Sequence, residues 1–442
     1  MPGRAFLFGA TRTMLRQPSV ALEWRWAFYD FGNSAYPLLI SGVGFQLYFK
    51  EVAFRGQSGQ ADFWWGAVVA ASILLSALLS PLIGMAADWR GARSRYLAWL
   101  TGMAVVGTAG LALVKGGGAL VALLVFLFAN TFFNVALALY DSLLPFVAAP
   151  ERRGVVSGRA WALGFAGGIV CLVLTYRLFS GHPADSELAY RTGFVLVAVF
   201  YGSFSLPLLL FPPAETASGS GPRQPREGTS ATPARRAVFQ LIESLRRWRD
   251  HRSAFRFIVA YYFISEAVLT SIYFTANYLS TTFSMPASAI LVLTVLLQVV
   301  AIPATWLSGR LADSWGPVKV LAGCVVVWMA IVVLLAAAAS PWQLYLAAML
   351  MGSVIGSTQA VGRVCLARLT PSSRSGEFFG LNSMSSKVAS TLGPFLFGTV
   401  STLAGSQRLA WLALLPFLAI GLAILVSGKQ LAGPGTDDAG DV

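Results

Sequence analysis

Apolar residues fall along this chain in blocks of about twenty separated by short polar breaks, a pattern that suits neither half-buried strands nor surface helices. At 1.5 Å per residue, about 20 such residues cross the roughly 30 Å of a bilayer's hydrocarbon. Six blocks lie in the first half: Trp26 to Phe49, Trp64 to Ala87, Leu97 to Val114, Ala119 to Asp141, Ser157 to Phe179 and Thr192 to Phe211. Six lie in the second: Phe255 to Leu279, Ala287 to Gly309, Val318 to Ala339, Trp342 to Leu366, Phe378 to Leu403 and Leu409 to Ser427. The pattern predicts an all-α membrane protein of 12 transmembrane helices in two six-helix bundles, 26–211 and 254–428. Tails at 1–25 and 429–442 and a linker at 212–253 complete the division.

The breaks repeat as well as the blocks. Between the second and third blocks stands GMAADWRGARSR, and its spacing returns 225 residues later, with Gly309, Asp313, Gly316 and Lys319 in the register of Gly84, Asp88, Gly91 and, less closely, Arg93. Small glycines allow helix ends to approach, an acid stands at each helix terminus, and bases such as Arg90 follow at the membrane surface. A second echo pairs Pro150, Arg153 and Gly158 in PERRGVVSG with Pro371, Arg374 and Gly380 in PSSRSGEFFG, with one residue of slippage. Such paired turns are expected of a duplicated six-helix unit.

Composition agrees with a membrane chain: 56% of the 442 residues are hydrophobic, 12% are charged, and the mean hydropathy is +0.67. The net charge of +13 then serves to orient the helices. With both termini inside, 26 of the 32 Lys and Arg fall in cytoplasmic segments and six, Lys50, Arg55, Lys115, Arg177, Arg191 and Arg408, fall outside, which predicts an N-in, C-in topology. These bases sit in short loops rather than beside base-stacking aromatics, so no nucleic-acid partner is expected. Cys171, Cys324 and Cys365 lie in apolar blocks and behave as small hydrophobes, and the two histidines, His182 and His251, lie in loops. Neither a metal site nor another cofactor is expected. The first 25 residues carry Arg4, Arg12, Arg16 and Arg25 without an apolar run and cleavage site, as in a cytoplasmic tail rather than a signal peptide. The linker opens rich in Gly, Ser, Pro and Thr. Over about 235–250 it then places Val238, Leu241, Ile242, Leu245 and Trp248 at helical spacing among arginines, which predicts an amphipathic surface helix.

Ionisable and amide groups inside the blocks are costly and are therefore functional candidates. Asp30 and Asn33 share a face of the first helix, with Asp30 about one turn inside the membrane, where a gating ion pair and substrate contact are both open. Asn130, Asn134 and Asp141 share a face of the fourth, and the asparagines serve either substrate or a neighbouring helix. On the seventh, Glu266, Thr270, Tyr273 and Asn277 form a stripe with the acid near the midplane; Glu266 is either a proton-coupling or substrate group, or a structural partner of Lys387 on the eleventh helix. Gln359 and Arg363 lie one turn apart on the tenth, where the arginine either binds an anion bidentately or holds Asp30 or Asp141 in a closed gate. Gly352, Gly356, Gly164, Gly167 and Gly168 are read as packing residues that let helices approach.

The duplicated glycine-acid-glycine-base turn resembles the loop between the second and third helices of the major facilitator superfamily. The run WAFYDFGNSAY, through Asp30, Asn33, Ser34 and Tyr36, resembles the first-helix signature of its unknown major facilitator family, which includes the autophagy-related vacuolar effluxers of fungi. So does the stretch from Gln359 to Pro394, through Arg363, Pro371, Glu377, Gly380, Lys387 and Gly393. The family's seventh helix usually carries aspartate followed by glycine, where this chain has Glu266 and Ala267 with Thr270 kept. The resemblance implies the major facilitator fold, with helices 1, 4, 7 and 10 around a central cavity. It also implies that Asp88 and Asp313 latch the outward-facing state through neighbouring helix ends and arginines such as Arg153 and Arg374.

The expected function is secondary transport of a small polar or zwitterionic solute, an amino acid among the options, by rocking the two halves around a midplane site, with Glu266 coupling protons. The alternative is a carrier of larger amphiphiles such as drugs, lysolipids or cell-wall fragments, which a wide apolar cavity would favour. No G-x-x-x-x-G-K-[ST], G-x-S-x-G or H-E-x-x-H occurs in the chain, so an ATP-driven pump and a membrane enzyme are disfavoured, as is a non-transporting receptor given the intramembrane polar stripe. A monomer is expected. The arginine-rich, lysine-poor composition points to a bacterial inner membrane, with a vacuolar membrane as the alternative.

Overall fold

A computed structural model describes residues 19–42, 45, 48–49, 53, 58–114, 118–179, 187–215, 248–285 and 287–427. The tail at 1–18, the linker at 216–247, with most of the expected amphipathic helix, and the tail from 428 onward lie outside them. So do Lys50, Arg55, Lys115 and His182 and the side chains of Arg177 and Asn277.

The described residues are helical almost throughout. Helix α1 spans Val20–Asn33 and continues through a π-helical turn at Pro37–Gly42. It starts at Val20 rather than Trp26 because Ser19 caps it, its Oγ accepting from Leu22 N at 3.3 Å, and because Glu23 in the first turn is buried against arginines. The π turn begins at Pro37, whose missing N–H breaks the α-helical ladder. Next come α2 (Ser58–Arg90), α3 (Arg93–Gly110), α4 (Ala119–Asp141), α5 (Arg153–Phe179) and α6 (Glu187–Leu210). The second half holds α7 (Arg252–Phe283), α8 (Ala287–Trp315), α9 (Pro317–Ala337), α10 (Pro341–Leu369), α11 (Ser375–Ala404) and α12 (Gln407–Leu412 continued by Leu415–Val426). Ten helices among the described residues are long and apolar enough to cross a membrane; the broken α1 and the polar α11 complete the two sets of six.

The halves meet chiefly where α2 packs on α11 and α5 on α8, contacts that exchange under the internal repeat. Glycines permit both. A Cβ on Gly84 would stand 2.0 Å from Gly376 O, and one on Gly309 would stand 2.3 Å from Gly154 O. Within the first half, Gly164 and Gly167 bring α5 against α1, where a Cβ on Gly167 would stand 2.0 Å from Phe31 O. The register of the second echo follows from these contacts. Gly154 and Gly158 occupy the places of Gly376 and Gly380, so that Arg152, not Arg153, is the counterpart of Arg374. Each of those arginines ends a short 3₁₀ turn, Pro150–Arg152 and Ser372–Arg374, ahead of its helix.

Candidate functional site: two latches, an arginine cluster and an apolar cavity

Helices α2 and α8 each end beside the start of a helix from the other half, and an aspartate fills the junction. Asp88 accepts from Gly376 N at 3.0 Å and Glu377 N at 2.9 Å, and Asp313 accepts from Gly154 N at 2.8 Å and Val155 N at 2.7 Å. The first N–H groups of a helix have no partner inside it, and they carry the positive end of its dipole, so a carboxylate there satisfies both. The chain escapes each junction through a glycine with positive φ, +54° at Gly91 and +92° at Gly316, a conformation costly for any side chain.

The arginines around the two aspartates differ from the expected ones. Arg93 Nε lies 2.5 Å from Asp88 Oδ1, and its Nη2 donates to the carbonyls of Ser372 and Ser373 at 3.0 Å each. Beside Asp313 stands Arg368, 3.2 Å away, which also donates to Pro150 O at 3.3 Å. Arg153 instead donates to Ala367 O at 2.8 Å, and Arg374 binds Glu377 and the His251 ring. Arg90 is exposed and donates to Tyr96 OH, and Lys319 is exposed and contacts neither latch. At Asp313 the last turn of α10 supplies Arg368, while Lys319 stays exposed at the start of α9.

Beneath the latches, Arg363 of α10 joins α1 and α4. Its Nη1 and Nη2 each donate to Asp30 Oδ2 at 3.3 Å, and its Nε lies 3.0 Å from Asp141 Oδ1. The guanidinium also lies within 4.9, 5.3 and 5.6 Å of the ring centres of Trp26, Tyr140 and Trp161. Cation–π attraction and two carboxylates together offset the desolvation of a side chain only 4% exposed. Asn33 Nδ2 donates to the other oxygen of Asp30 at 3.1 Å. The aromatic residues of the first-helix signature hold this cluster in place: Trp26 Nε1 donates to Tyr140 O while Tyr140 OH donates to Trp26 O, and Tyr29 OH bonds Thr101 and Tyr201.

Above the cluster a cavity of about 410 Å³ lies between the halves. It runs from Ser34, Trp161, Gly164 and Ile355 to Leu279, Ile290, Leu335 and Leu344, away from the latches. Its wall is aliphatic and aromatic apart from Ser34, Thr275, Thr294, Gln298 and the indole N–H of Trp161. Trp161 therefore separates the cavity from Arg363, and its buried indole N–H has no partner among the described residues.

Of the seventh-helix stripe, Glu266, Thr270 and Tyr273 do not line this cavity. Glu266 and Thr270 are fully buried against α11; Glu266 Oε2 accepts from Gly393 N at 2.6 Å, and Tyr262, one turn earlier, faces the same carboxylate. Tyr273 is 56% exposed although the helical period keeps it on the same side of α7 as Glu266: α11 covers the acid at Gly393, and that cover does not reach two turns further along. Glu266 and Lys387 form no ion pair; Lys387 Nζ donates to Ser383 Oγ at 3.0 Å. Asn130 donates to Ser72 at 2.7 Å and so ties α4 to α2, whereas Asn134 donates to Asn130 O at 2.7 Å within α4 itself. Gln359 is half-buried one turn from Arg363 and makes no hydrogen bond among the described residues.

Three further acids are built into the same end, of which the sequence analysis named only Glu377, and that only as part of a resemblance. Glu23 bonds Arg152 and Arg159, Glu377 bonds Arg374, and Glu215 accepts from Arg93 N at 2.7 Å and Ser94 N at 2.6 Å, capping α3 from the segment after α6. Glu23 and Glu215 lie outside the apolar blocks, where charge is ordinary and carries no signal. Arg368 was legible only as the last basic residue before a break.

Two pseudo-symmetric sets of six helices, hydrogen-bonded to each other at one end around a central cavity, have the architecture of a major facilitator superfamily transporter. Solved structures with similar folds include the human organic anion transporter MFSD10 (TETRAN), with a TM-score of 0.72 at 15% identity over 92% of this chain and 98% of that one. FucP, a major facilitator superfamily transporter in the outward conformation, gives 0.70 at 14% over 92% and 97%, and a bacterial homologue of the iron transporter ferroportin in the outward-facing state gives 0.67 at 17% over 92% and 98%. Within that class, the chain belongs to the family described as vacuole effluxer Atg22 like, which matches residues 66–431. It is 26% identical over 410 residues to the uncharacterized MFS-type transporter YxiO of Bacillus subtilis (strain 168), covering 91% of this chain and 94% of that protein. It is also 26% identical over 288 residues to autophagy-related protein 22 of Cryptococcus neoformans var. neoformans serotype D (strain B-3501A), covering 61% of this chain and 52% of that protein.

Proposed function

We propose that this protein is a secondary active transporter working by alternating access, and that its two halves are latched here with the arginine-rich end closed and the cavity directed to the opposite face. The charge census supports a cytoplasmic position for the closed end. Opening it requires Asp88 and Asp313 to leave the helix N-termini of the other half, and Arg363 on α10 to part from Asp30 and Asp141 on α1 and α4. These are the bonds that a rocking motion of two rigid halves breaks together.

The cavity wall carries the reading of substrate class. Aliphatic and aromatic side chains surround a few hydroxyl, amide and indole groups, which suits an amphiphile with a large apolar body and a compact polar head. An amino acid with a branched or aromatic side chain meets that description, as does a small amphiphilic drug; a strongly hydrophilic solute does not. This favours the amphiphile alternative for the body of the solute and keeps the zwitterion only as its head. Glu266, buried against α11 beside Tyr262, is the proposed proton-coupling group, acting through its bond to α11 rather than by touching solute. A monomer in a bacterial inner membrane is the working assignment.

Counterflow in liposomes tests the substrate class. Uptake should rise with apolar side-chain size along a series of zwitterionic amino acids, and Ala348→Trp, which fills the cavity, should abolish it. Uptake of hydrophilic amino acids alone, undiminished by Ala348→Trp, would overturn the reading.

A further inference from the structure

A second space, of about 760 Å³, opens on the outer flank of the second half between α8, α9 and α10. Its walls are built from Leu307 and Leu311 of α8 and Val320 and Val327 of α9, and the serine hydroxyls that line it donate to carbonyls of their own helices. Lys319 and Trp315 stand at its mouth, Trp315 65% exposed and Lys319 exposed with neither a hydrogen bond nor an ion pair among the described residues. From Ala304 to Trp315 the groove follows about 16 Å of α8, roughly half of a 30 Å hydrocarbon core. It is therefore one leaflet deep, apolar inside, and closed at the membrane surface by a cation and an indole.

We infer that this groove binds one anionic phospholipid of the leaflet at the arginine-rich end, its phosphate on Lys319 and an acyl chain between α8 and α9. Charge complementarity selects the occupant: an apolar slot alone takes any chain, whereas an unpaired ammonium at headgroup level selects a negative head. The two halves differ at this point. In the first, Arg93 turns inward to Asp88 and is 3% exposed. In the second, Arg368 has taken the place beside Asp313, which leaves the base of the repeated turn, Lys319, facing the groove. Gly323 lines the groove, and a Cβ there would meet nothing within 4 Å, so the slot is open at the depth an acyl chain would reach.

Native mass spectrometry of the full-length protein, titrated in detergent with dioleoyl phosphatidylglycerol or phosphatidylcholine, tests the assignment. The wild type should retain one phosphatidylglycerol per chain with about tenfold preference over phosphatidylcholine. Lys319→Ala should lose the preference, and Gly323→Leu, which fills open space, should lose retention of both lipids while its lipid-free unfolding midpoint stays that of the wild type. Equal retention of the two lipids by the wild type would overturn the inference, as would variants that retain phosphatidylglycerol as the wild type does. Displacement of phosphatidylglycerol by millimolar inorganic phosphate would also overturn it, because the site would then be one for a free anion.

Discussion

Arg93, in the first turn of α3, and Arg368, in the last turn of α10, each tie an aspartate of their own half to backbone carbonyls of the other: Arg93 joins Asp88 to Ser372 and Ser373, and Arg368 joins Asp313 to Pro150. The two arginines are not counterparts in the repeat, yet they complete the same junction of acid, helix N-terminus and opposing carbonyl. The internal symmetry of this transporter lies in the electrostatics of the junction, and only partly in the residues that supply it.

The two latches are unequal in strength. Asp88→Asn leaves the Arg93 side chain, 4% exposed, with only Glu215 at 3.8 Å as counter-charge, a loss of about 3 kcal/mol for the latched state. Asp313→Asn strands an Arg368 side chain that is 31% exposed and solvated, at a cost of about 1 kcal/mol or less. Ser375, fully buried beneath the first latch, reports on opening when changed to cysteine. Maleimide labelling of Ser375→Cys should accelerate at least about tenfold in the Asp88→Asn background and far less with Asp313→Asn, and transport should fall in Asp88→Asn at normal expression. Equal labelling in all three chains would remove the latch.

Arg363 should behave as one member of a charge cluster. Arg363→Gln alone leaves Asp30 and Asp141 without the cation that bridges them, and should lower the unfolding free energy by about 3–5 kcal/mol. Adding Asp30→Asn and Asp141→Asn should restore most of the thermal stability while transport stays lost. Thermal unfolding of the purified single and triple variants checks this, and an unchanged midpoint for Arg363→Gln would show that the cluster contributes nothing to stability.

Glu266 should separate coupling from binding. In proteoliposomes, Glu266→Gln should abolish solute-driven proton flux yet keep solute exchange, because the side chain bonds α11 and does not line the cavity. Gly393→Ala should impair both, since its Cβ would stand 2.1 Å from Thr270 Oγ1 and 2.6 Å from Glu266 Oε2. Proton flux that survives Glu266→Gln unchanged would assign coupling elsewhere.

Glycine position, and not glycine content, should decide tolerance. Gly84→Ala forces α2 away from the Gly376 carbonyl and should open the latch, whereas Gly398→Ala on α11 meets nothing within 4 Å and should be neutral or slightly stabilising. Labelling of Ser375→Cys in both backgrounds distinguishes them.

Read alone, the sequence determined the class of solvent, the two sets of six blocks, the superfamily and the paired turns. These are properties of composition and spacing: hydrocarbon demands runs of about twenty apolar residues, and a duplicated unit repeats its turns at fixed distance. It also placed Asp30, Asp141 and Arg363 at one depth, because a charge inside an apolar block is conspicuous. Tertiary structure decided who pairs with whom. Glu266 sits against Gly393 rather than Lys387 because the side of α7 that it occupies packs on α11, and single-sequence periodicity cannot say which neighbour a helix face meets. Tyr273 falls outside the cavity for the same reason. Arg368, Glu23 and Glu215 carry no signal in the sequence, since their partners lie more than fifty residues away and an arginine or acid at a membrane surface is ordinary until a fold places it beside an opposite charge.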